Sequence, residues 1–68
     1  MHNFTVKSND ITEVGYDDEI LYITFQNKGT HAYYDVPGKV FKEMFKAREI
    51  NDYYLNNVKN VYNWDEFK

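Results

Sequence analysis

Chemistry in this chain has few side chains to draw on. His2 and His31 are its only histidines, and it has no cysteine. A zinc site takes four nitrogen, sulfur or oxygen ligands at compatible spacing. Neither histidine stands at such a spacing, so no metal or other cofactor is expected. His31 has no nucleophile near it in sequence and does not fit a general base. Asp17, Asp18 and Glu19 read as a turn and lack the spacing of a calcium loop. No serine–histidine–acid set, glycine-rich phosphate loop or catalytic pair of carboxylates is present. The chain is expected not to be an enzyme.

Three other sets point to binding. In "HAYYDVP" (31–37), Tyr33 and Tyr34 face opposite sides of any strand they share, whereas His31 and Tyr33 share one. That pair is either a platform on which bases stack or a cross-strand aromatic pair that stabilises a sheet. Lys39, Lys42 and Lys46 recur at helical spacing. They are either phosphate contacts, helped by the positive helix end near Pro37, or a solvated face on which Glu43 pairs with Lys39. Tyr53, Asn56, Asn57 and Asn60 form a polar helical face. Asn is a poor helix former, so the face is either an adaptable hydrogen-bonding surface or a reflection of a composition with eight asparagines.

The elements that position these residues follow from periodicity. "ITEVGY" (11–16), "EILYITFQ" (19–26) and "THAYYDV" (30–36) have β-branched or alternating patterns. Asp17-Asp18 links the first two. Asn27-Lys28-Gly29 links the second and third, with Gly29 free to take a positive φ. Beyond Pro37, Val40, Phe41, Met44 and Phe45 fall between about 100° and 240° on a helical wheel that starts at Lys39. That arc predicts an amphipathic helix ending near Ala47, with both phenylalanines in the core. Asn51 or Asp52 can cap a second helix, whose apolar arc is Tyr54, Leu55, Val58, Val61 and Tyr62. The class is therefore α+β: a three-stranded antiparallel meander followed by two amphipathic helices packed on one sheet face. The tail 63–68 carries Trp64 and Phe67, which are expected to be sheltered against the domain or in a homodimer.

The bounds are tight. The sequence has 68 residues and a net charge of −3, with seven tyrosines, five phenylalanines and one tryptophan. It reads as one domain, 1–68, with a net stability of about 3–5 kcal/mol. No stretch resembles a signal peptide or approaches the roughly 20 apolar residues of a membrane span. The lack of cysteine requires no oxidising compartment, so a cytoplasmic location is expected.

The order of motifs resembles the KTSC family, a small domain also found at the C-terminus of some lysyl-tRNA synthetases. The similarity runs over about 8–62. It is carried by Ser8, Ile11, Gly15-Tyr16-Asp17, Leu21-x-Ile23-x-Phe25, Gly29, Tyr33 to Pro37, Val40, Phe45, Ala47, Tyr53-Tyr54, Val58-Lys59 and Tyr62. The family's central Tyr-x-Tyr pair reads His31-Ala32-Tyr33 here, and its glycine before the second helix is Asn51. The resemblance implies the fold and, through the synthetase, RNA or tRNA binding. Small size, acidic charge and spare aromatics point instead to a protein partner, as for an inhibitor or adaptor encoded by a phage or mobile element. The expectation is a non-enzymatic interaction module with a protein partner. The alternative is an RNA-binding module that uses the sheet tyrosines and the lysine stripe.

Overall fold

A computed structural model of the chain describes residues 2–8 and 10–67. In chain order its elements are β1 (His2–Thr5), β2 (Ile11–Asp17), β3 (Ile20–Phe25), β4 (Gly29–Tyr33), α1 (Gly38–Lys46), α2 (Ile50–Asn57) and β5 (Trp64–Phe67). The strands form an antiparallel sheet in the order β1-β2-β3-β4-β5. The α+β class and the central meander are as expected, but the sheet has five strands rather than three. Both added strands are four residues long. Neither shows the alternation that betrays a strand in sequence. Each is held by its backbone ladder, β5 to the distant β4 and β1 to β2, the next strand in the chain.

Register decides which side chains meet. Asp17 pairs with Ile20, so the β2–β3 link is Asp18-Glu19, one residue later than expected. Both link residues have positive φ, 49° and 63°, the geometry of a two-residue turn whose twist matches the strands. Gly29 closes the next hairpin at φ 77°, where a side chain would be strained. Alternation then puts Leu21, Ile23 and Phe25 on one face with Val14 and Tyr33, while Tyr22, Thr24 and Ala32 lie on the other. Ile11, Val14, Leu21 and Ile23 are fully buried, and each contributes about 1.5–3 kcal/mol of transfer free energy.

Both helices cover that same face. Met44 of α1 is fully buried, but Phe45 is 39% exposed. The expectation that Phe45 belongs to the core is thus corrected: the helix lies so that Met44 points inward and Phe45 reaches the rim. In α2 the buried stripe is Tyr54, followed by Val58 one turn on. Leu55 and Val61 are exposed. Val61 leaves the apolar arc because the helix stops at Asn57. The cap of α2 is Glu49, not Asn51 or Asp52. The Glu49 carboxylate accepts from the Ser8 hydroxyl and from the Asn51 N–H, which also donates to Ser8 Oγ. Ser8 and the Asn51 N–H hold the Glu49 pKa below the ordinary carboxylate value. The contact reaches across 41 residues, so local sequence cannot show it.

Candidate functional site

Register decides which of Tyr33 and Tyr34 is buried. Tyr33 is 1% exposed and Tyr34 is at the surface. Tyr33 pairs with Leu21 and Trp64 and lies under α2, where its hydroxyl and that of Tyr54 share a hydrogen bond. Burial raises the Tyr33 pKa far above its ordinary value, and the Tyr54 hydroxyl adds to the shift. Tyr33 as an exposed stacking platform is therefore corrected: its ring is part of the core. His31 stays half-buried. Its ring stacks on Trp64 at 4.4 Å between centroids and 23° between planes. Its Nδ1 is buried and has no hydrogen-bond partner among the described residues. The side chain of His2, the other histidine weighed as a metal ligand, lies outside the described residues.

The remaining candidates separate. Tyr53 donates its hydroxyl to Glu43 on α1; burial raises its pKa, and the Glu43 hydrogen bond adds to this. Asn57 turns its amide back to the Tyr53 carbonyl. Asn60 lies past the end of α2 at φ 68°, a left-handed position that Asn tolerates better than most residues. Two of the three asparagines thus have local conformational roles. Asn56, Asn57 and Asn60 are all exposed.

Two depressions collect the rest. The first, of about 260 Å³, lies beside α2; His31, Lys28, Lys59, Asn60 and Trp64 are among its walls, with Tyr33 and Tyr54. The second, of about 330 Å³, is lined by Phe4, Phe41, Lys42, Phe45 and Lys46. Its three rings interlock. Centroids of Phe4 and Phe45 are 5.4 Å apart, those of Phe41 and Phe45 5.1 Å, and those of Phe4 and Phe41 6.0 Å. Tyr16 stacks on Phe41 from within, and its hydroxyl donates to the Val36 carbonyl at 2.6 Å. Phe4 is 48% exposed. Lys42 and Lys46 from the expected lysine stripe border this depression; Lys39 is exposed on the same helix. Phe4 was not legible as a site residue, because its strand was not.

The family model of the KTSC domain matches residues 7–62. The chain belongs to the KTSC family. A crystal structure of the KTSC domain protein YPO2434 from Yersinia pestis superposes on it with a TM-score of 0.94 at 23% identity, covering 98% of this chain and 97% of that one. At that identity the likeness shows the fold. No curated protein matches the chain. The KTSC match leaves out β1 and β5, yet the superposition spans nearly the whole chain, so the edge strands belong with the architecture of both proteins. Phe4, which forms one wall of the apolar depression, therefore lies outside the part the KTSC domain defines.

Proposed function

We propose that this KTSC domain is a non-enzymatic interaction module that docks a protein partner, in the manner of an adaptor or inhibitor. The observation that carries the reading is the depression of Phe4, Phe41 and Phe45, bordered by Lys42 and Lys46. Large rings grouped at the surface of a small domain are characteristic of interaction sites. The domain's own core does not need Phe4 and Phe45, which stay about half in water. Lysines at the rim favour a partner with carboxylates beside its apolar anchor. The test is capture from lysate, with and without nuclease, by wild-type protein and by the Lys42→Glu/Lys46→Glu variant. A partner retained by the first and lost from the second supports the reading. Capture that survives the charge reversal, or that disappears with nuclease, contradicts it.

RNA is the second reading, favoured by the His31–Trp64 stack with Lys28 and Lys59 in the same depression. Aromatic rings beside cations suit a splayed base and its phosphate. Asp10 in the same walls, the net charge of −3, and Glu13 and Asp65 on the open sheet face oppose it. We expect no RNA complex tighter than about 10 μM at physiological salt, which corresponds to about −7 kcal/mol. A sub-micromolar complex that weakens steeply with salt would reverse the order of the two readings.

A further inference from the structure

The two edges of the sheet are unlike. On β5, Asp65 and Glu66 place charge along the edge, and the Glu66 N–H is already taken by the Asp65 carboxylate at 2.8 Å. Charge and a self-satisfied donor are how natural sheets guard an edge against further pairing. The other edge, β1, shows neither among its described side chains. Its residues are His2, Asn3, Phe4 and Thr5, with no acid, lysine or proline. The Val6 N–H donates to the Thr12 carbonyl at 3.0 Å. In an antiparallel ladder inward and outward backbone groups alternate. His2, Phe4 and Val6 therefore face β2, and Asn3 and Thr5 turn their N–H and C=O groups outward. The same strand carries Phe4, so the unguarded edge and the Phe4–Phe41–Phe45 depression are one continuous surface.

We infer that the partner binds as an extended acidic segment that adds a sixth strand to β1, seating an apolar side chain against Phe4 and Phe45 and carboxylates beside Lys42 and Lys46. This deepens the docking reading above and rests on it. Strand addition satisfies the outward groups of Asn3 and Thr5 and gives affinity from the backbone, while alternate side chains give specificity. The lysines select the occupant. A second copy paired β1 to β1 about a two-fold axis would bring two lysine-bordered depressions together, and β5 of a second copy is guarded.

The probe is the blocked heptapeptide acetyl-Thr-Glu-Thr-Phe-Thr-Glu-Thr-amide, whose Glu-Phe-Glu face matches the depression. Two N-methylated forms carry the methyl groups on alternate amides, one set on the two central threonines and one on the two glutamates. Amide exchange at Asn3 and Thr5 is expected to slow when the unmodified peptide is added. One alternate set of methyl groups, the threonine set for antiparallel addition, should weaken binding about tenfold, and the other set should not. Thr5→Pro removes an outward donor without touching the ladder to β2 and should weaken binding equally. If neither methylated set matters and Phe45→Ala still abolishes binding, the depression docks its partner in another form and strand addition is overturned. An unmodified peptide that does not bind at about 1 mM, a level at which affinity is only near −4 kcal/mol, overturns it too. So does a dimer in sedimentation whose Asn3 and Thr5 amides are protected without peptide. If the peptide binds and Phe45→Ala leaves its affinity unchanged, it is the docking reading itself that fails.

Discussion

The buried hydroxyl pair of Tyr33 and Tyr54 is the sharpest test at the scale of single residues. Each phenol is the other's hydrogen-bond partner. Removing one hydroxyl leaves the other buried and unsatisfied, whereas removing both leaves nothing to satisfy. Tyr33→Phe and Tyr54→Phe should each cost about 1–3 kcal/mol, and the double variant should cost less than the sum of the two. Urea titration of the three proteins measures this. The same pair predicts a pH dependence. The folded-state pKa of Tyr33 is raised above its unfolded value of 10.0. Below that value both states hold the proton and the contribution is complete. As pH rises above it the unfolded chain ionises first and binds fewer protons, so stability falls until the folded pKa is passed. Wild type should lose stability with rising alkalinity more steeply than Tyr33→Phe. Parallel alkaline limbs would show that Tyr33 is not held protonated in the core.

Among the elements, α2 is tied to the N-terminal segment through its cap. The Glu49 pKa is lowered by Ser8 and by the Asn51 N–H. The stability linked to that shift is present above the ordinary carboxylate value and lost as pH falls through the folded one. Ser8→Ala should raise the Glu49 pKa toward its ordinary value in an NMR titration; an unchanged pKa would mean that Ser8 does not hold the carboxylate. The helices also show how far sequence carries. The span of α1 was legible because Val40, Phe41, Met44 and Phe45 recur at its period, but periodicity gives an arc without saying which member points deepest. Met44 is fully buried and Phe45 is not. Met44→Ala should therefore cost about 2–5 kcal/mol, while Phe45→Ala should cost about 1 kcal/mol, as for a residue outside the core. The cap of α2 was not legible, since it joins residues 41 apart in the chain.

At the scale of the whole molecule, the three central strands and two helices could be read from alternation and turn chemistry, and the edges could not. His2–Thr5 and Trp64–Phe67 are strands because a neighbour's backbone is there to receive them. Dependence on a partner strand also explains the half-legible site. Lys42 and Lys46 were visible on the helical wheel, but Phe4, which completes their depression, waited on β1. It likewise explains the tail. Trp64 and Phe67 were expected to be sheltered against the domain or in a homodimer; the domain itself leaves them 50% and 51% exposed, because β5 is an edge strand. The Trp64 emission should lie between that of a buried and that of a free indole, and iodide should quench it partly. A fully blue-shifted, unquenched spectrum would require a covering that the isolated domain does not supply, such as a dimer interface.

The claim that function resides in the Phe4–Phe41–Phe45 depression separates binding from folding at one residue. The measurement is a paired one on Phe45→Ala: its thermal melt, and its affinity for the partner captured by the wild-type domain. The account predicts a melt shifted by only a few degrees and an affinity lost by about 2 kcal/mol or more, roughly thirtyfold, as for an anchor at the centre of an interface. A variant that unfolds with the severity of Met44→Ala, or that folds and still binds its partner at wild-type affinity, would contradict it.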